Sequence, residues 1–283
     1  MSRDYTLGLY EKSMPHSMTL CKKLEKAKTS GFDFLEVSVD ETDEKLARLN
    51  WGKTERWEVI NAIADTGTTI GSMCLSGHRK YPFGSLDEAT RHRSLDIIAR
   101  AIDLACGWGI RIIQLAGYDV YYEQGTEQTR SFFRENLAKS VDMAAKSGVI
   151  LAFETMETPF MDTVEKAMVY VSEINSPYLQ VYPDLGNLTN AAKLYSHSVP
   201  DDMETGRGHI SALHLKETVP GKYRDIPYGT GHTDFAEGIR AARQLGVRRF
   251  VGEFWDNGAF EVQLTHAHTF LRDFLDEAAK EGF

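Results

Sequence analysis

Glu154, Asp184, His214 and Glu253 each stand at or near the end of a run of strand-forming residues: VILAFE (149–154), LQVYPD (179–184), HISALHLK (209–216) and RRFVGEFW (248–255). Their types suit one kind of chemistry. Three carboxylates brought together repel strongly unless a positive charge lies between them. A divalent ion is the simplest such charge. Oxygen-rich ligation with one nitrogen suits Mn2+, Mg2+, Co2+ or Zn2+ better than a soft metal. Taken singly, each residue is as well explained by a helix cap, a rim charge or a salt bridge. What singles out the set is that four consecutive strands each deliver a ligand to the same end of one sheet.

Such a meeting needs a repeating element to position it. Five times a small or apolar residue is followed four places later by a glycine and then by strand formers. The pairs are Ala27 and Gly31, Ile63 and Gly67, Ala105 and Gly109, Ala144 and Gly148, and Ala242 and Gly246. Glycine takes the left-handed backbone that ends a helix, so each instance reads as a helix stopping before a buried strand. The pattern predicts strands at 6–11, 32–39, 68–76, 110–117, 149–154, 179–184, 209–216 and 248–255. Helices are expected from near Thr19, within 43–66, from near Leu86, Glu127 and Thr163, near 187–204, from near Asp234, and over the C-terminus. Runs such as IRIIQLA and VILAF lack strict alternation, which suits parallel strands buried on both faces. Eight such units predict an α/β fold, a (β/α)8 TIM barrel forming a single domain over 1–283. A doubly wound open sheet is the alternative, but no GxGxxG or GxxxxGK[ST] loop follows any strand.

Composition narrows the function. The 283 residues carry a formal charge of -9, against a surface built to grip nucleic acid. Cys21, Cys74 and Cys106 form no CxxC pair and signal neither a disulfide framework nor a thiolate metal site. MSRDYTLGLYEKS lacks the apolar run of a signal peptide, and no stretch approaches the roughly 18 apolar residues of a membrane span. A cytoplasmic enzyme with no membrane or nucleic-acid partner is expected.

Several long segments carry a family resemblance: GFDFLEVSVDETDEKLARLNW, SMCLSGHRKYPFGS, IRIIQLAGYDVYY, VYPDLGNL, GHISALHLKET and PGKYRDIPYGTGHTDF. Together they resemble the L-ribulose-5-phosphate (L-xylulose-5-phosphate) 3-epimerases of the ascorbate-utilisation type, within the xylose isomerase-like barrel superfamily. The resemblance runs from Gly8 to about Trp255. It implies one divalent metal, Zn2+ or Mn2+ ahead of Mg2+ or Co2+, held by Glu154, Asp184, His214 and Glu253. It implies a phosphorylated sugar substrate and pairing of barrel rims into a homodimer. Glu157 and Glu217 depart from it, standing where Asp is common in the family.

Epimerisation at C3 of a ketopentose removes a proton beside a carbonyl and returns it on the opposite face. Glu154 and Glu253, on strands flanking the metal, are the expected pair of catalytic bases. A phosphate needs cations and free N–H groups. Lys216, Lys222 and Arg224 after the seventh strand, or His78 and Arg79 after the third, would supply them. Glu11, Glu36 and Gln114 are expected to meet sugar hydroxyls at the mouth, and Glu157 to contact substrate or orient a ligand. The competing readings are an epimerase of free ketoses, an aldose–ketose isomerase on the same barrel, an apurinic endonuclease, and a sugar-binding barrel without activity. The acidic balance and single nitrogen ligand count against the endonuclease.

Overall fold

Each of the five helix-ending glycines takes a left-handed backbone, with φ between 65° and 88°. After four of them the next residue donates its N–H to the alanine carbonyl five positions back: Phe32 to Ala27, Ile110 to Ala105, Val149 to Ala144 and Val247 to Ala242. The chain is thereby turned into a strand at a fixed angle, as the spacing predicts.

The structure, a computed structural model, describes residues 3–282. Met1, Ser2 and Phe283, the ends of the expected 1–283 domain, lie outside the described residues. Eight parallel strands are formed: β1 Thr6–Tyr10, β2 Phe34–Val39, β3 Thr69–Leu75, β4 Ile112–Ala116, β5 Ile150–Glu154, β6 Leu179–Val181, β7 Leu213–Leu215 and β8 Arg249–Gly252. They pair in the order β6-β5-β4-β3-β2-β1-β8-β7. Parallel bridges from Val181 to Ile210 and from Asp184 to His214 close the ring between β6 and β7. Around it run α1 Leu20–Thr29, α2 Asp43–Ala47, α3 Lys53–Thr66, α4 Glu88–Trp108, α5 Glu127–Ser147, α6 Val164–Ile174, α7 Leu185–Tyr195, α8 Val199–Thr205, α9 Phe235–Gln244 and α10 Phe260–Lys280.

Side-chain oxygens of Thr19, Thr42, Asp87, Thr126, Thr163, Asp184, Ser198 and Asp234 cap helix N-termini. Two expected helices are each broken in two. The 43–66 segment is interrupted at Trp51–Gly52, and 187–204 at Ser196, whose φ is 56°. Ser198 then caps α8, with proline in its first turn.

The main core lies between sheet and helices. A second, smaller one fills the barrel itself with Tyr10, Phe34, Cys74, Ile112, Ala152, Tyr182, Ala212 and Val251. Phe34 plugs the floor. A Cβ built on Gly8 or Gly71 would lie 2.3 Å from its ring, and the Arg249 guanidinium sits 5.0 Å from the ring centre. The site is thus confined to the other end, where the strands terminate. No helix among the described residues is long and apolar enough to cross a membrane.

Candidate metal centre

Four side chains converge above the barrel core. Glu154 is the last residue of β5, His214 the middle residue of β7, and Glu253 follows β8. Asp184 caps α7 through Oδ1, which accepts from the Asn187 N–H at 2.7 Å. One ligand atom from each of the four lies within 4.8 Å of the others, and all four residues are buried. His214 Nδ1 is 3.1 Å from Glu253 Oε2 and 3.7 Å from Glu154 Oε1. Lys216 Nζ approaches Asp184 Oδ1 at 3.3 Å and Glu253 Oε2 at 3.4 Å.

Burial pushes Glu154 and Asp184 above the usual carboxylate range. The same burial acts on Glu253, but Lys216 and His214 outweigh it and hold that group low. Burial also disfavours charge on His214; Glu36, Tyr182 and Glu253 overcome it and raise the imidazole well above its ordinary value. Asp184 Oδ2 is buried with no hydrogen-bond partner. An unpaired carboxylate oxygen costs free energy in such a place. Three carboxylates, one imidazole and this orphaned oxygen fit a hard divalent cation.

A cleft opens directly above, reaching Glu154, Glu253 and Lys216. Of the residues expected to meet substrate, Arg79, Glu157, Lys216 and Arg224 line it. Glu157 accepts from Tyr118 and Tyr121 hydroxyls at 3.0 and 3.2 Å. Arg79 lies over both rings, 5.7 and 4.7 Å from their centres, and its Nε is buried without a partner.

The other expected contacts are placed elsewhere. Glu11 does not reach the mouth. The chain turns sharply after β1, and the Glu11 carboxylate is buried against Lys45, Lys23 and Arg48, with Arg48 Nη1 and Nη2 at 2.6 and 2.7 Å. Its neighbour Lys12 faces the cleft instead. Glu36 and Gln114 lie mid-strand. Ala116 is the residue level with Glu154, so Gln114 sits two residues deeper. Its Nε2 lies 3.4 Å from both the Tyr182 carbonyl and His214 Nδ1. Glu36 is fully buried in the barrel, bonded to His214. His78 is buried between the Ser94 carbonyl and the ring of Phe83, and burial lowers its pKa to about 4. Lys222 is exposed, its backbone paired with Val219 outside the cleft. Glu217 ties the loop after β7, accepting from the N–H groups of Gly229 and Thr233 at 3.0 Å each.

Sequence reasoning missed Lys12, Asn187 and Trp255, which line the cleft. Asn187 was the most accessible to it. In DLGN the asparagine lies three residues past the cap Asp184, beside it on the first helical turn. Its Nδ2 donates to the Thr155 carbonyl at 2.7 Å, and its Oδ1 has no partner.

A family model described as xylose isomerase-like TIM barrel matches residues 24–274. The L-ribulose-5-phosphate 3-epimerase UlaE of Salmonella paratyphi A is 44% identical over 267 residues, covering 93% of each chain. A solved L-ribulose 3-epimerase aligns with a TM-score of 0.77 at 19% identity, over 98% of this chain and 96% of its own. A xylose isomerase-like TIM barrel protein from Mycobacterium smegmatis, solved in complex with magnesium, aligns with a TM-score of 0.70 at 17% identity, over 99% of this chain and 100% of its own.

Proposed function

The chain belongs to the xylose isomerase-like TIM barrel family, and from that premise we propose that it is a 3-epimerase of ketopentose 5-phosphates, interconverting L-xylulose 5-phosphate and L-ribulose 5-phosphate. The observation that carries this reading is the convergence of Glu154, Asp184, His214 and Glu253 beneath a cleft lined by Lys12, Arg79 and Arg224. The 44% identity to L-ribulose-5-phosphate 3-epimerases supports the substrate class. The residues 1–283 act as a single domain, in the cytoplasm where phosphorylated sugars are held, and two copies pair through their rims.

Glu154, Asp184, His214 and Glu253 hold one divalent ion, Zn2+ or Mn2+ ahead of Mg2+ or Co2+. When bound, the ion supplies Lewis-acid polarisation of the C2 carbonyl and offsets negative charge on the enediolate. Glu154 ends β5 and Glu253 directly follows β8, the two flanks of the group, with Asp184 and His214 between them around the closed ring. One takes the C3 proton, and the other returns a proton to the opposite face. Asp184 and His214 are ligands only. Lys216, seated against Asp184 and Glu253, steadies the carboxylates and donates toward ketose oxygens. Asn187 Oδ1 accepts from a sugar hydroxyl. Lys12, Arg79 and Arg224 receive the phosphate, whose oxygens only accept.

Running the reaction in D2O with L-ribulose 5-phosphate tests the proposal. One deuteron should enter at C3 with each epimerisation. Product formed without label at C3 would sink the two-base route. Lys12, Arg79 and Arg224 at the cleft favour phosphorylated over free ketoses, so unphosphorylated L-ribulose should turn over far more slowly.

A further inference from the structure

We propose that Glu36 is the positioning residue for His214: reaching from β2, it takes the ring's Nε2 and so presents Nδ1 to the carboxylates of β5 and β8. The proposal rests on the reading that these residues hold a divalent ion.

The two nitrogens of His214 face different partners. Nε2 lies 2.6 Å from Glu36 Oε1, whereas Nδ1 lies 3.1 Å from Glu253 Oε2 and 3.7 Å from Glu154 Oε1. An ionised carboxylate only accepts, so the nitrogen against Glu36 carries hydrogen. With Nε2 held by Glu36 deep in the barrel, Nδ1, which faces Glu253 and Glu154, is the ring atom that can give up its hydrogen and serve as a ligand, aimed into the group of four. Gln114 does not select between the nitrogens, because its Nε2 stands 3.4 and 3.5 Å from each.

Glu36 is itself braced. Its Oε2 accepts from Ser72 Oγ at 2.6 Å and from the Tyr182 hydroxyl at 2.9 Å. Ser72 is its register partner on β3. The Tyr182 ring meets the imidazole edge-on, with centres 4.9 Å apart. Glu36, Ser72, Tyr182 and His214 are all fully buried. Glu36, Ser72 and Tyr182, from β2, β3 and the end of β6, thus fix the His214 ring, and water does not compete for any of their bonds. A carboxylate behind a metal-binding histidine sets the ring's orientation and raises its basicity as a ligand; removing such a partner costs on the order of 10–100-fold in metal affinity.

The test is metal affinity, measured on chelator-stripped protein by competition between a zinc chelator and the chain, with no substrate present. Glu36→Gln, which keeps shape and an acceptor oxygen, should bind Zn2+ about 10-fold more weakly, and Glu36→Leu about 100-fold more weakly. Tyr182→Phe, which leaves Glu36 in place but removes one brace, should show a smaller loss in the same direction. The visible spectrum of Co2+-loaded Glu36→Gln should shift, since the field at Nδ1 changes; a merely structural role would leave it alone. Unchanged Zn2+ affinity and an unchanged Co2+ spectrum in folded Glu36→Gln overturn the proposal. A wild type that binds Zn2+ in a Glu36-dependent way but does not epimerise ketopentose 5-phosphates overturns the functional reading alone. A wild type that binds no ion overturns both.

Discussion

Two buried charge clusters occupy one barrel with opposite balance. At the end of β1, one carboxylate, Glu11, faces Lys23, Lys45 and Arg48. At the ends of β5 to β8, Glu154, Asp184 and Glu253 share His214 and Lys216, with Glu36 behind the imidazole. The first cluster closes on itself. Glu11 Oε1 and Oε2 accept from Lys45 and Arg48, and Oε2 also accepts the Ser38 N–H at 2.8 Å. Burial pushes both lysines down, and against the same burial Arg48 and the lysines hold Glu11 well below the usual carboxylate range. The second is short of positive charge and leaves Asp184 Oδ2 unpartnered. Buried charges that satisfy one another are architecture, and those that do not are a site.

Substitutions separate the two. The largest effect falls on the acidic cluster: Glu154→Gln or Glu253→Gln should lower the C3 exchange rate by about 10²–10⁴-fold, the range of a lost general base, while the protein still folds. Wild-type turnover in either variant would remove it as a base. In the basic cluster the loss appears as stability. Glu11→Gln strands three buried cations and should cost about 3–5 kcal/mol in urea unfolding, with turnover of the folded fraction unchanged. Asp184→Asn, by contrast, relieves repulsion and should leave metal-free stability equal or higher. If both substitutions destabilise alike, the contrast between the clusters is lost.

A third effect comes from pH. His78 has a folded pKa depressed to about 4 from 6.5. Its contribution is fully present above pH 6.5 and is lost as pH falls toward 4, amounting to about 3 kcal/mol. His78→Gln should therefore flatten the stability curve over that window relative to wild type; parallel curves would show that His78 does not titrate there. The smallest effect is at the rim. Arg224 stacks 5.3 Å from the Trp255 ring centre at the edge of the cleft and is exposed. Arg224→Ala should raise KM for the ketopentose phosphate about tenfold, roughly 1.4 kcal/mol, with kcat nearly kept. An unchanged KM would take this loop out of phosphate binding.

The barrel and its four converging groups were legible because both are written in local pattern. Glycine stops announce five of the eight strands, and Glu154, Asp184 and Glu253 sit where the apolar runs end. Depth and side were not. Glu36 and Gln114 are polar residues inside strands, and sequence does not say that the barrel interior tolerates them when they bond to His214. Glu11 turns away from the mouth and Lys12 lines the cleft because the chain leaves β1 at Tyr10 and enters a tight turn. The 187–204 segment kept helical composition through Ser196, and only the left-handed backbone there reveals the break. His78 looked like a ligand for anions beside Arg79, yet Phe83 and Ser94, brought to it by the fold, enclose it.

The most direct test is ion stoichiometry coupled to activity. Wild-type protein stripped with chelator should lose epimerisation, bind one Zn2+ or Mn2+ per chain, and regain activity with that ion, while Asp184→Asn binds none tightly. Full activity in metal-free protein, or equal ion binding by Asp184→Asn, would contradict the account.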